Sequence, residues 1–287
     1  MLIMNHDRLS IDEIDIAAAL GAVDEVELLG RGTFGSTFRV VLDDEEFALK
    51  VVHIPDMPGY LWEREIEALR RTDHPNVLSL YDSGTLDIAG HALPFLRCEY
   101  IDGGNLRQRI LAQDRPVDAA DLRGLLTGML AGVAEIHDLG GLHRDIKPEN
   151  VALRGGQWGN PVLLDFGLVR LADMSSHTHY PALVGTVSYM APEQLRLKPA
   201  RTRSDLFSVG VTVYEVGTGV HPYATTSTVT PSDLHDRILA STPSDPRALS
   251  SAFDGESAEV VLRLMRYRGH ERLGVNDALR DLGRLDA

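Results

Sequence analysis

The segment His143-Arg-Asp-Ile-Lys-Pro-Glu-Asn150 places three chemically different groups within six residues, from Asp145 to Asn150. The carboxylate of Asp145 can accept the proton of an attacking hydroxyl. Lys147 offers a compact cation suited to a phosphoryl group in motion, and Asn150 offers an amide oxygen for a magnesium ion. Phosphoryl transfer needs few groups, but it needs them accurately placed. Fifteen residues after Asn150 comes Asp165-Phe166-Gly167, with a second carboxylate for metal and a glycine that lets the backbone turn sharply. Ala191-Pro192-Glu193 follows.

Two upstream features fit the same chemistry. Gly30-Arg-Gly32-Thr-Phe-Gly35 is a weak signal alone, since a dinucleotide fingerprint has the same spacing. That fingerprint needs a helix directly after the glycines, whereas here a strand, a turn and another strand follow. The context suits a glycine flap whose N–H groups lie over phosphates. Lys50 ends an apolar strand 15 residues after Gly35. A lysine there either snorkels to the surface or pairs with a carboxylate, for which Glu65 is the natural partner.

Elements must position these groups. Residues 1–22 form a preface in which Ser10 and Glu13 fit a capping box and Ile11–Leu20 a short helix ended by Gly21. The apolar residues of that helix pack on the domain or on a partner, as a dimerising or tethering helix would. From Glu25 to Tyr100 the pattern is mostly strand, with a turn at Asp43-Asp44, a helix over 59–71 and strands over 78–84 and 93–100. After Gly103-Gly104 helices are expected over 106–113, 118–139, 204–217, 232–240 and 258–266. Short strands are expected over 151–153 and 162–164. The class is α+β, a β-rich part followed by a helical one.

Composition narrows the partners. The chain has 287 residues, 44% hydrophobic and 24% charged, and a net charge of −14. That charge argues against nucleic acid as a partner, because phosphates demand a basic surface. No apolar run reaches the ~18 residues of a membrane span. Met1–Ser10 lacks a secretory pattern, so the expected location is the cytoplasm. Cys98 is the single cysteine, so no internal disulfide forms. Only three of the 28 basic residues are lysines, Lys50, Lys147 and Lys198, and two of these lie in the segments above. Arg and Lys are not interchangeable where a point charge is needed.

Taken together, Asp24 to Arg280 resembles a eukaryotic-type (Hanks-type) serine/threonine protein kinase of the sort found in bacteria. The resemblance rests on the glycine flap, Lys50, Glu65 before His74-Pro75-Asn76, His143-Arg-Asp…Asn150, Asp165-Phe-Gly and Ala191-Pro-Glu, in that order. It implies a two-lobed fold: an extension over 1–22, a small β-rich lobe with one main helix and the hinge over 23–101, and a larger helical lobe over 102–287. The ATP cleft would lie between the lobes. It implies Asp145, Lys147, Lys50 and Glu65 as catalytic residues, and Asn150 and Asp165 as ligands of magnesium, or of manganese in its place. ATP would contact Gly30, Gly32, Gly35, Thr37, Ala48, Lys50, Glu99, Ile101 and Ala152, with Cys98 just before the hinge. Asp205 resembles the aspartate that holds the catalytic loop, Arg272 the partner of Glu193, and Leu69, His143 and Phe166 an apolar stack. Thr186 resembles the threonine that faces the catalytic aspartate in serine/threonine kinases.

Thr37 and Ala152 depart from the family's usual valine and leucine and make the adenine pocket more polar or roomier. Arg272 follows an atypical basic segment, Arg266-Tyr-Arg-Gly-His270. The resemblance further implies a protein substrate with a Ser or Thr acceptor, and an activation loop over 165–193. In that loop Thr178, Ser176 or Ser175 would take a phosphate that pairs with Arg144. A second copy of the chain would serve as partner in trans-autophosphorylation. The alternatives are a nucleotide-binding pseudokinase or scaffold without transfer activity, and a small-molecule kinase.

Overall fold

The computed structural model describes residues 10–32, 35–53, 63–112, 117–164, 186–223 and 230–283, with the backbone alone at 63–65, 68 and 186. The chain divides into two compact units, Met1–Arg71 with Ser79–Tyr100, and Thr72–Leu78 with Ile101–Ala287.

The first unit is built on an antiparallel sheet of β1 (Glu25–Arg31), β2 (Gly35–Leu42), β3 (Glu45–Val52), β4 (Leu80–Ile88) and β5 (His91–Glu99), ordered β1-β2-β3-β5-β4. Side chains alternate along a strand, so Phe38 and Val40 of β2 share one face with Phe47, Leu49 and Val51 of β3. All five are buried. Helix α1 (Glu13–Leu20) covers that face: Ile11 and Ile16, both 0% exposed, join the same cluster with Ile88 and Leu93. Burying each isoleucine contributes about 1.5–3 kcal/mol. The N-terminal helix thus packs on its own sheet.

Its cap lies two residues beyond the expected Ser10. Asp12 accepts N–H bonds from Ile14 and Asp15, while the Asp15 carboxylate accepts from the Asp12 N–H. Glu13 then accepts a bond from the Leu28 N–H at 3.3 Å, beside the irregularity between Leu28 and Gly30 in β1.

Two tight connections shape the sheet. Asp43 and Asp44 both have positive φ, 52° and 63°, as a two-residue hairpin turn of this twist requires. Ala89 and Gly90, at 53° and 80°, close β4 onto β5. The sequence reading ended the β4 strand at Gly84, but the strand runs four residues further. Gly84 is no turn: it makes room for the Phe95 ring, whose Cε1 would lie 2.9 Å from an added Cβ. Helix α2 (Glu63–Arg70) completes the unit, with Ile66 and Leu69 buried. Residues 59–62 of the expected helix lie outside the described residues.

The second unit contains α3 (Leu106–Ala112), α4 (Ala119–Asp138), the hairpin of β6 (Val151–Leu153) and β7 (Pro161–Leu163), α5 (Pro192–Leu195), α6 (Thr202–Thr218), α7 (Pro231–Ala240), α8 (Gly255–Leu264) and α9 (Val275–Asp281). Helix α6 is buried nearly all round, from Ser204 to Glu215, which marks it as the centre of this unit. It packs against α4 and α8. Asn76, of the His-Pro-Asn motif, donates to Pro161 O at 2.7 Å and accepts from the Leu163 N–H, tying that motif to β7. Among the described residues no helix is long and apolar enough to cross a membrane.

Candidate active site

The His143–Asn150 segment lies between the end of α4 and β6. It has little regular structure, so its shape must come from side-chain anchors. The principal anchor is Asp205, in the first turn of α6 and 1% exposed. Its carboxylate accepts N–H bonds from His143 at 3.0 Å and Arg144 at 2.8 Å, and meets His137 Nε2 at 2.9 Å. Arg144 needs that anchoring, because its φ of 68° is in the left-handed region that disfavours side chains with a Cβ. His143 is 0% exposed and Ile146 1%, pinning the segment from the apolar side.

This backbone gathers the three groups expected to do chemistry. Lys147 Nζ donates to Asp145 Oδ2 at 2.7 Å. Asn150 Nδ2 donates at 2.8 Å both to the same Oδ2 and to the Asp145 carbonyl oxygen. Asn150 ends a 3₁₀ turn, Pro148–Asn150, and its carbonyl accepts from the Leu164 N–H, leading straight into β6. The side chains of Asp145 and Lys147 retain 14% and 16% exposure, enough for a ligand to reach them. Asp165 and Phe166 lie outside the described residues, as do Thr178, Ser176 and Ser175.

A second anchor holds the Ala191-Pro192-Glu193 segment. Arg272, with a fully buried side chain, donates to both oxygens of Glu193 at 2.8 and 2.9 Å, and Ser204 Oγ donates to Glu193 at 2.7 Å. Arg272 also donates to three backbone carbonyls, Arg266, Tyr267 and Arg203, and stacks 4.9 Å over Phe207. Burial alone would raise the Glu193 pKa, but the bonds from Arg272 prevail and hold it below the ordinary value. The atypical basic segment before Arg272 therefore carries this pairing, and two of its carbonyls serve it.

Sequence reasoning missed a third arrangement. Arg107, on α3, donates to Glu149 at 2.9 Å, to Glu215 of α6 at 3.0 Å, and to the Tyr189 hydroxyl. Tyr189, in the 3₁₀ turn Thr186–Tyr189, donates in turn to Glu215. Burial first, and then the Glu215 charge, pushes the Tyr189 phenol well above its ordinary value, so it stays protonated. Nothing in a chain so rich in arginine marks Arg107. His137 was likewise missed, being one histidine at a helix end.

In the first unit Gly30 lies near the end of β1 and Gly35 begins β2. Gly30 lies opposite Thr37, and the Gly32 N–H donates to Gly35 O at 2.7 Å. Gly35 is required by close approach, since a Cβ there would meet Val51 O at 2.2 Å. Lys50 pairs in register with Thr37 on β2 and Leu96 on β5, and Ala48 with Cys98. These residues share the sheet face opposite the α1 core. Glu65 lies on α2, and its side chain is outside the described residues. The Glu99 side chain accepts from the Ser79 N–H at 2.9 Å. In the second unit, a Cβ on Gly103 would sit 1.8 Å from Leu153 O, so only glycine fits beside β6, where Ala152 is 3% exposed.

Known proteins resemble this chain. The family described as "Protein kinase domain" matches residues 23–282. The DNA damage-responsive serine/threonine-protein kinase RqkA of Deinococcus radiodurans is 32% identical over 257 residues, 88% of this chain and 37% of the relative. A probable serine/threonine-protein kinase PknB of Corynebacterium glutamicum is 30% identical over 285 residues, 95% of this chain and 42% of the relative. The chain thus spans less than half the length of these curated relatives. The crystal structure of Rad53 residues 1–466 in complex with AMP-PNP matches with a TM-score of 0.71 and 23% identity, over 92% of this chain and 65% of that one, which shows the fold. By these matches, and by the motifs that its anchored segments carry, the chain belongs to the protein kinase family, of the eukaryotic-type serine/threonine kind that its bacterial relatives represent.

Proposed function

We propose that this chain transfers the γ-phosphoryl group of ATP to serine or threonine hydroxyls of protein substrates. The observation that carries this reading is the bonded set of Asp145, Lys147 and Asn150 on a segment anchored by Asp205. Asp145 orients the acceptor hydroxyl and takes its proton. Lys147, already hydrogen-bonded to Asp145, places its positive charge on the γ-phosphoryl as negative charge shifts there. Asn150 commits its Nδ2 to Asp145, which leaves its carbonyl oxygen, a hard donor of the kind magnesium takes. Asp165 would be the companion ligand. Magnesium, when bound, neutralises the phosphate charge.

On this reading Gly30, Gly32 and Gly35 lend backbone N–H groups to the phosphates, and Lys50, paired with Glu65, holds them. Thr37, Ala48, Ile101, Ala152 and the backbone of Glu99 receive the adenine. The AMP-PNP named for the Rad53 structure supports a nucleotide in this role. Residues 1–22 are an extension, 23–101 the small lobe with the hinge, and 102–287 the large lobe. A second copy of the chain phosphorylates Thr178, Ser176 or Ser175, and the cytoplasm supplies the ATP.

The test is transfer from labelled ATP with magnesium to generic protein substrates. Wild type should label them, and Asp145→Asn should lose about 10²–10⁴-fold in kcat while keeping its thermal unfolding profile. Lys50→Met should be similarly impaired. Nucleotide binding by wild type without any transfer would establish the pseudokinase reading instead.

A further inference from the structure

The cluster around Arg107 has no part in the chemistry assigned to Asp145, Lys147 and Asn150, yet it lies beside them. Glu149 is the residue before Asn150, whose side chain bonds Asp145 directly. Its carboxylate is 44% exposed, while that of Glu215 is 11% exposed and the Arg107 side chain 26%. Two carboxylates therefore converge, with the Tyr189 hydroxyl, on one point next to the catalytic segment, and a guanidinium of the chain itself fills that point.

We propose that Arg107 is a specificity-determining residue: its guanidinium occupies, from within the chain, an acidic site formed by Glu149, Glu215 and Tyr189 that would otherwise receive a basic side chain of the peptide substrate. The proposal rests on the protein kinase reading above. An extended peptide advances about 3.3 Å per residue, so positions within three residues of an acceptor at Asp145 reach the neighbourhood of Glu149. A substrate arginine arriving there meets acceptors already engaged in a forked, charge-assisted geometry. A tethered group holds its place at an effective concentration far above that of a free peptide. The phenol of Tyr189, raised by burial and by Glu215, adds no negative charge that could recruit a second cation. The consequence is that basic residues near the acceptor add little to recognition in this enzyme.

The experiment uses the full chain and synthetic peptides with one threonine, carrying Arg or Leu at each position from −3 to +3. Wild type should show Arg-to-Leu ratios of kcat/KM near one. Arg107→Met, which keeps the apolar stem, should phosphorylate Leu peptides and raise the ratio at one or two positions at least tenfold. Adding Glu215→Gln should reverse that gain, and so should methylguanidinium in solution. Anisotropy of a fluorescent Arg peptide supplies the same comparison if the variant transfers poorly. Arg107→Lys, which keeps the charge without the fork, should fall between and covers the case in which the methionine variant fails to fold. An unchanged ratio in a folded variant overturns the proposal and leaves Arg107 a structural brace. No transfer by wild type to any peptide overturns the kinase reading itself.

Discussion

Between His143 and Asn150 the backbone is held by side chains distant in sequence. Asp205, 62 and 61 residues on from His143 and Arg144, accepts both of their N–H groups, and Arg107, 42 residues before Glu149, braces that side. At Gly30–Gly32 and at Gly35 the backbone is held by its own neighbours. Arg31 faces Ser36 across the strand pair, and Gly32 bonds Gly35. Strand β1 lies at the sheet edge and is exposed along most of its length. A carboxylate and a cation that act on a reacting atom need fixed positions, and buried polar anchors supply them. A strand that contributes backbone N–H groups needs only bare backbone and room for it.

The comparison can be broken most directly at Asp205. Asp205→Ala should strip the acceptors from one buried and one part-buried N–H group and destabilise the second unit by about 3–5 kcal/mol, read as a lowered urea midpoint. Activity should fall with it, because Arg144 would relax from its left-handed backbone. A midpoint within error of wild type would show that the segment holds its own shape. In the glycine strand the effects should depend on position. Gly35→Ala forces a Cβ to within 2.2 Å of Val51 O and should cost about 1–3 kcal/mol in thermal unfolding.

Acid should separate anchor from strand next. Glu193 has a lowered folded pKa, so its stabilising contribution is complete above the ordinary value of 4.5 and disappears as pH falls through the depressed one. The stability gap between wild type and Glu193→Gln should therefore be full above the ordinary value of 4.5 and close as pH falls through the depressed one, and a gap constant with pH would refute the assignment. The smallest effect belongs to Gly30→Ala. No atom lies within 4 Å of an added Cβ there, and the change should shift stability by less than about 0.5 kcal/mol. A raised KM for ATP would then report on the phosphates alone.

The motifs were legible because each is short and chemically singular. Asp145, Lys147 and Asn150 are read from six residues, and the structure brings those three together. Most long helices were legible from their periodicity, as with α4, read over 118–139 and found at Ala119–Asp138. What failed to show was the partner of each element. The apolar face of α1 was visible, but no local pattern says that Ile11 and Ile16 belong against Phe38 and Leu49. Ala89-Gly90 carries a weak turn signal, so the end of β4 was misplaced. Helix α9 is only seven residues long and went unread. The Arg107 cluster joins four segments up to 108 residues apart, a convergence that only the folded chain creates.

One earlier detail gives the protein a built-in clock. Cys98, the chain's single thiol, sits in β5 with Ala48 of β3 and Leu80 of β4 on either side, and is 6% exposed. Its side chain stands on the sheet face away from α1, so a thiol reagent reaches it only when the packing over that face opens. Alkylation kinetics under native conditions therefore time the exposure of this one position, without an introduced label. Slowing of that reaction by added nucleotide would measure, in units of time, how well a ligand shields that thiol.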